Sequence, residues 1–166
     1  MVILGELFSL LAALCLAYST FSNKKNKMIW WQAINAIFYG LSNLFLGAYS
    51  AVVTNVLTLF RNTLQVKNKL NRNSTFIICL LMAIVGIIAN NKEWLGLLPI
   101  LASITYTICV YILKSAQQMR IALVVNLIQL MIFDFLVKAY PMFIMDMIII
   151  VVTVMNMIRY KNMTES

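Results

Sequence analysis

The sequence predicts an all-α membrane protein with seven transmembrane helices, arranged as two parallel three-helix repeats joined by a linker helix (3+1+3). Three observations predict this fold. The chain of 166 residues is 63% hydrophobic, with a mean hydropathy of +0.90, whereas a soluble domain is about 45–50% apolar. Apolar runs long enough to cross a bilayer recur along its whole length. Polar residues inside these runs recur at an offset of 91 residues.

Charged residues make up only 11% of the chain, and they mark the boundaries between the apolar runs. The first run has no basic n-region and no small-residue cleavage site, so we expect a retained helix and not a cleaved signal peptide. The predicted helices α1 to α7 cover residues 3–21, 28–46, 50–66, 74–90, 94–113, 121–137 and 141–158.

The basic residues are distributed unequally between the two predicted faces of the membrane. Ten of them fall in the α1–α2, α3–α4 and α5–α6 connections and the carboxyl-terminal tail, and two, Lys92 and Lys138, fall on the other side. Because basic loops stay in the cytoplasm, the bias predicts an amino terminus outside and a carboxyl terminus inside. This distribution also explains the net charge of +8 without nucleic-acid binding.

The 91-residue offset places α1 on α5, α2 on α6 and α3 on α7. It predicts a first repeat at 1–72, a linker helix at 73–91 and a second repeat at 92–166. A single spacer helix makes both repeats face the same way, so they would be related by an axis along the membrane normal. Chance similarity between apolar helices is the alternative, but polar residues are rare in such helices. The polar or aromatic pairs at this offset include Asn35/Asn126, Asn43/Asp134, Tyr49/Tyr140, Asn55/Asp146 and Asn62/Thr153.

These polar residues form stripes along α2, α3, α6 and α7, which predict a wet central cavity. We expect α3 and α7 to face each other there, with Asn55 opposite Asp146 and Asn62 opposite Thr153. Asn35 and Asn126 would complete a substrate-binding site. Residues near the outer ends of the helices would act as a gate, namely Asn43, Tyr49, Asp134 and Tyr140.

Each polar residue also has a simpler interpretation. A single amide most often joins neighbouring helices, and Asp146 could be hydrated near the interface. Asp134 lies near the outer end of α6 and is interpreted as interfacial. Arg61 could contact an anion or a lipid headgroup, or extend to the headgroups along the protein surface.

The sequence shows no pattern typical of an enzyme. It has no histidine, no metal-ligating cluster, no glycine-rich phosphate loop and no nucleophile–base pair, so we expect no catalytic residue, metal or cofactor. The two membrane aspartates, Asp134 and Asp146, allow an intramembrane aspartyl protease. Neither aspartate lies in a GxGD or YD motif, which disfavours that alternative. The three cysteines fall inside apolar runs and are predicted to be free thiols.

The stretch 46–49 followed by Asn55 and the pair Arg61 and Asn62 resembles the LGAY…N…RN pattern of YgjV-like bacterial inner-membrane proteins. The resemblance covers nearly the whole chain. The 3+1+3 plan also looks like the wider MtN3/PQ-loop group, which includes SWEET sugar facilitators. Asparagines on the third and seventh helices line the pocket in SWEET proteins, which implies that role here for Asn55 or Asn62 and for Asp146 or Thr153. The chain lacks a PQ dipeptide, and an acid at Asp146 argues against a neutral sugar.

Together these observations predict a carrier or facilitator for a small polar metabolite in the bacterial inner membrane. Its partners would be the solute and the lipid bilayer, and association with further copies of the chain stays open. The alternative is a membrane scaffold or sensor that transports nothing.

Overall fold

The computed structural model describes residues 2–47, 49–90, 94–136 and 140–162. Within these ranges the chain forms seven helices and no strand. They are α1 (Val2–Ser19), α2 (Lys25–Phe45), α3 (Tyr49–Val66), α4 (Arg72–Ile88), α5 (Leu97–Ile112), α6 (Ala116–Leu136) and α7 (Tyr140–Asn162). The predicted number and order of the helices are therefore confirmed.

Several helix boundaries differ from the prediction because basic residues assigned to loops belong to helical turns. Lys25 begins α2, and Arg120 lies inside α6, which starts at Ala116. Their side chains bind backbone carbonyls elsewhere in the bundle, so these turns are stabilised although they are not apolar. Likewise, α4 starts at Arg72 because Asn71 and Ser74 form a reciprocal capping box ahead of the apolar run.

The connection between α2 and α3 depends on a glycine. Gly47 has a φ of 71°, in the left-handed region that side chains with a Cβ rarely adopt. Its backbone N–H donates to the carbonyl of Leu44 at 3.3 Å, which closes the turn at the end of α2. The short predicted turn is therefore confirmed on the α2 side, whereas Lys138 lies outside the described residues. The end of the bundle that holds Gly47 is called the turn end below.

The opposite end of the bundle, called the basic end below, gathers the α1–α2, α3–α4 and α5–α6 connections. Lys25 at the start of α2 binds the carbonyl of Leu113, just past the end of α5. Asn26 donates to Asn68, just past the end of α3, at 3.4 Å. Successive helices therefore run in alternating directions, as the sequence predicts.

Six helices form a ring, and the fourth packs outside it. Neighbours around the ring follow the order α1, α2, α3, α5, α6, α7 and back to α1, and α4 packs on α3 and α5. Contact between α2 and α6 crosses the ring. Among the described residues α3 and α7 do not touch. The apolar core lies where α1, α2, α5, α6 and α7 meet, around Met28, Tyr106, Met119 and Leu127.

Polar side chains are buried in the bundle and apolar side chains cover its outside. On α3, Val56 and Phe60 are exposed, whereas Arg61 and Asn62 are fully buried. Soluble proteins show the opposite distribution. Two helical segments are long and apolar enough to cross a membrane, Ala116–Leu136 and Met142–Tyr160. Length and hydropathy therefore support a membrane span for two of the seven helices, α6 and α7. The apolar segments of α1, α4 and α5 (Ile3–Ser19, Arg72–Ile88 and Leu97–Ile112) are shorter, and amides and cations lower the hydropathy of α2 and α3.

Candidate functional site

Two asparagines tie the first and second helices of each predicted repeat together in the same way. Asn35 on α2 donates from Nδ2 to the carbonyl of Ala12 on α1 at 2.8 Å. Asn126 on α6 donates from Nδ2 to the carbonyl of Ala102 on α5 at 2.9 Å. Asn35 and Asn126 are both predicted to bind the substrate. In this structure the Nδ2 atom of each is hydrogen-bonded to the neighbouring helix.

A buried polar cluster lies between α3 and α5. The guanidinium of Arg61 donates from Nε and Nη2 to Oδ1 of Asn62, at 3.1 and 2.8 Å, and from Nη1 to the hydroxyl of Thr107 at 2.9 Å. It also lies 5.2 Å from the ring centroid of Tyr106, within cation–π range. The hydroxyl of Tyr106 is hydrogen-bonded to Gln32 on α2. The cluster therefore connects α2, α3 and α5.

Arg61 does not extend to headgroups along the protein surface, because only 1% of the side chain is exposed. The helix bundle encloses its charge, and that interpretation of the sequence is wrong. Sequence reasoning missed its partners Tyr106 and Thr107, because only the packing of α3 against α5 brings them together. The one usable signal was the adjacent pair of Arg61 and Asn62.

Two carboxyl groups approach each other towards the turn end. Asp134 on α6 and Asp146 on α7 are close enough to interact electrostatically, and both interact with Tyr39 on α2. The hydroxyl of Tyr39 donates to the sulfur of Met142 on α7 at 3.3 Å. Asp134 is 7% exposed, so its side chain is enclosed by the bundle. It lies two residues before the end of α6, and its interpretation as an interfacial residue stays a prediction. Asn43, its counterpart at the 91-residue offset, is buried too, and its Nδ2 has no hydrogen-bond partner among the described residues.

The other predicted site residues are not joined to one another. Asn55 donates to the carbonyl of Ala51 in its own helix and is half-buried. Thr153 is fully buried and donates to the carbonyl of Ile149, one turn earlier in α7. Tyr49 is exposed at the start of α3. The side chain of Tyr140 lies outside the described residues. The opposition of Asn55 to Asp146 and of Asn62 to Thr153 stays a prediction.

Sequence reasoning also missed two cations at the basic end. Nζ of Lys25 donates to the carbonyls of Val110 and Leu113 at the end of α5, both at 2.6 Å. Arg120 donates from Nε to the carbonyl of Thr20 and from Nη2 to that of Ser22, both at 2.9 Å, beyond the end of α1. The sequence alone predicts only a topological role for Lys25 and Arg120.

Arg120 is further held by the aromatic and amide groups around it. Its guanidinium carbon lies 4.4 Å from the ring centroid of Tyr160 on α7. Nη1 donates to Gln117 at 2.7 Å, and Gln117 in turn donates to the carbonyl of Met157. Only 1% of Arg120 is exposed. Arg120 therefore connects the end of α1 to both α6 and α7.

A comparison with protein-family models matches residues 3–164 to Imp-YgjV, described as a bacterial inner membrane protein. The chain belongs to this family. No curated protein and no solved structure matches it. Membership in Imp-YgjV agrees with the apolar outer surface, on which large apolar side chains of α1, α3 and α7 are exposed.

The buried polar groups of this Imp-YgjV protein separate by charge along the bundle. Arg61 lies five residues before the end of α3, towards the basic end, whereas Asp134 and Asp146 lie towards the turn end. Within the described ranges no group of three or more His, Cys, Asp or Glu is placed to hold a metal ion. Chemically, the arrangement can bind and orient charged or hydrogen-bonding groups of a solute.

Proposed function

We propose that this inner-membrane protein is a carrier for a small polar metabolite, working by alternating access between two three-helix units. The observation that carries the proposal is the set of helix contacts. Exchanging α1 with α5, α2 with α6 and α3 with α7 turns the α3–α5 contact into the α7–α1 contact, and leaves α2–α6 unchanged. Contacts that survive this exchange are expected of two related units around a common axis.

The side-chain hydrogen bonds support the same division of the chain. Asn35 and Asn126 are equivalent at the 91-residue offset and make equivalent bonds. Across the units, Lys25 binds the end of α5 and Arg120 binds the end of α1. Hydrogen bonds between the units can break and re-form as the units rock, while those within each unit persist. The basic end is therefore proposed to be the closed end of the carrier.

The proposed path runs between the two units. Asn55, Asn62, Asp146 and Thr153 would contact the solute, together with the oxygen atoms of Asn35 and Asn126. Asn43, Tyr49, Asp134 and Tyr140 would form the gate at the turn end. We also propose that the chain is related to the wider MtN3/PQ-loop group, with α4 as the linker helix. In the proposed topology the amino terminus lies outside and the carboxyl terminus lies in the cytoplasm.

Cysteine accessibility tests the carrier against a packed scaffold. Asn55→Cys and Asp146→Cys are made in a background that lacks Cys15, Cys79 and Cys109, and are exposed to a small, charged, water-soluble thiol reagent in membranes. A carrier should show labelling of both positions. Val56→Cys, on the exposed apolar face next to Asn55, is the matched control and should stay unlabelled because it faces lipid. Absence of labelling at 55 and 146 would favour the scaffold or sensor.

The solute can be identified by thermal stabilisation of the reconstituted protein with a library of small metabolites. Uptake of each stabilising compound into proteoliposomes then separates transport from binding alone. A reporter fused after Ser166, which lies outside the described residues, tests the topology. We expect a cytoplasmic signal, and a periplasmic signal would reject both the seven spans and the parallel repeats.

A further inference from the structure

We propose that Arg61 and Asn62 form a binding site for an oxyanion, the carboxylate or phosphate group of the carried metabolite. The inference rests on the proposed carrier function and specifies the class of its solute. Its starting point is an enclosed charge that has no opposite charge bonded to it within the described residues. The partners of the Arg61 guanidinium there are all neutral: Asn62, Thr107 and the ring of Tyr106.

Enclosing a guanidinium away from water is costly unless an anion or several hydrogen bonds compensate it. The described carboxyl groups of Asp134 and Asp146 interact with each other and with Tyr39, and neither interacts with Arg61. A guanidinium has five N–H donors, and three are engaged by Asn62 and Thr107. Two donors are therefore left to bind an acceptor.

Asn62 provides the second, independent observation. Its side chain is 0% exposed, and its Nδ2 has no hydrogen-bond partner in the part of the chain that the structure describes. The orientation of this amide is determined, because Oδ1 accepts two hydrogen bonds from Arg61 and the opposite orientation would place N–H groups against N–H groups. A buried donor without an acceptor destabilises the folded protein. Arg61 and Asn62 thus present unused donors side by side inside the protein.

The groups around Arg61 hold it in place for this role. Thr107 accepts from Nη1 and itself donates to the carbonyl of Ser103 on α5 at 2.7 Å. The ring of Tyr106 lies against the guanidinium, and its hydroxyl is fixed by Gln32. Donors positioned before the ligand arrives bind an oxyanion without first paying the entropy of ordering. Guanidinium groups favour carboxylate and phosphate because of their planar pair of donors.

The position of the site allows two sources for the oxyanion. Five residues of helix, about 7.5 Å of rise, separate Arg61 from the end of α3 at the basic end. A metabolite inside the carrier and the phosphate of an anionic lipid headgroup both supply the same chemistry at that depth. Binding of each is therefore measured separately, on the full-length protein in detergent and then in nanodiscs.

The first measurement is the shift in unfolding temperature with inorganic phosphate or succinate at constant ionic strength, using chloride as the reference anion. The second compares nanodiscs of phosphatidylglycerol with nanodiscs of phosphatidylcholine. The informative variant is Asn62→Asp, which changes one atom, turns the unused donors into an acceptor and gives Arg61 a built-in counter-charge. We expect it to fold with an unchanged or higher unfolding temperature and to bind the oxyanion at least tenfold more weakly.

Asn73→Asp is the matched control, because Asn73 is exposed at the basic end and undergoes the same change of charge. It should retain the affinity of the natural chain. Stabilisation by phosphate or succinate that Asn62→Asp abolishes supports the site with a free metabolite, and stabilisation by phosphatidylglycerol alone supports it with a lipid headgroup. Equal binding by Asn62→Asp and the natural chain, or no stabilisation by either source, overturns the proposal.

These measurements test the oxyanion site and the carrier function separately. The binding measurements contain no transport step, so a protein that binds the oxyanion but takes up no solute counts against the carrier function alone. A protein that transports a metabolite and shows no oxyanion binding counts against the site at Arg61 and Asn62 alone.

Discussion

Lys25 and Arg120 make reciprocal connections between the two halves of the bundle. Lys25 lies on α2 and binds the carbonyls of Val110 and Leu113 at the end of α5, while Arg120 lies on α6 and binds those of Thr20 and Ser22 beyond the end of α1. Ser22 and Leu113 are themselves related by the 91-residue offset. Each cation compensates carbonyls that a helix end leaves without intrahelical partners.

The first prediction concerns the stability of this end. Lys25→Met should lower the free energy of unfolding by about 1–3 kcal/mol, because it removes two charge-assisted hydrogen bonds from a half-buried group. Arg120→Met should lower it further, because Arg120 is fully buried, donates to the carbonyls of Thr20 and Ser22, and lies against the ring of Tyr160. Lys27→Met, on the same turn but exposed, is the control. Chemical denaturation in detergent measures all three, and equal effects of Lys25→Met and Lys27→Met would contradict the role of Lys25.

The second prediction compares Gly40, inside α2, with Gly47, in the turn that follows α2. Gly47→Ala should destabilise the protein by about 1 kcal/mol, because φ there is 71° and an alanine is strained in that region. Gly40→Ala should be neutral or stabilising by about 0.5–1 kcal/mol, because an added Cβ meets only the Cβ of Asn55 at 3.5 Å. Unfolding temperatures measured side by side check the pair. A larger loss at Gly40 than at Gly47 would contradict the packing of α2 on α3.

The helices were predictable because each is an apolar run bounded by charged residues or by a short turn such as the one at Gly47, and that signal is local. The boundaries at Lys25 and Arg120 were not, because these residues stabilise the first turns of α2 and α6 through carbonyls about 85–100 residues away. Local composition assigns such cations to loops.

The candidate site was predictable only in part, for a related reason. The 91-residue offset singled out Asn35 and Asn126, and the two do make equivalent bonds. It gave no sign that Arg61 would be enclosed, since its partners Tyr106 and Thr107 belong to a helix whose packing position depends on the whole ring. Arg61 also has no polar counterpart at the offset, where the residue is Val152.

The third prediction tests whether the two halves are energetically equivalent. Asn35→Ala and Asn126→Ala should each cost about 0.5–1.5 kcal/mol, because each removes one amide-to-carbonyl bond between adjacent helices. The double variant should lose the sum of both, since the two bonds share no partner. Asn73→Ala, at an exposed position, is the control. A large loss from one substitution and none from the other would argue against equivalent units.

The last prediction concerns the two carboxyl groups towards the turn end. Asp146 interacts electrostatically with Asp134 on α6 and with Tyr39 on α2. An oxyanion solute that passes these groups is repelled when they are ionised and passes more easily when they are protonated. Uptake should therefore rise as the pH is lowered through the range in which these carboxyl groups take up protons, if they line the path.

Asp146→Asn removes one of these charges and keeps the shape of the side chain. Uptake into proteoliposomes should increase at high pH and lose most of its pH dependence, while exchange of solute continues. Glu6→Gln is the control, because Glu6 is an exposed carboxyl group in the first turn and a half of α1. It should leave the pH profile as it is. An unchanged profile in Asp146→Asn would make Asp146 a structural residue, because a carboxyl group outside the path cannot repel the solute.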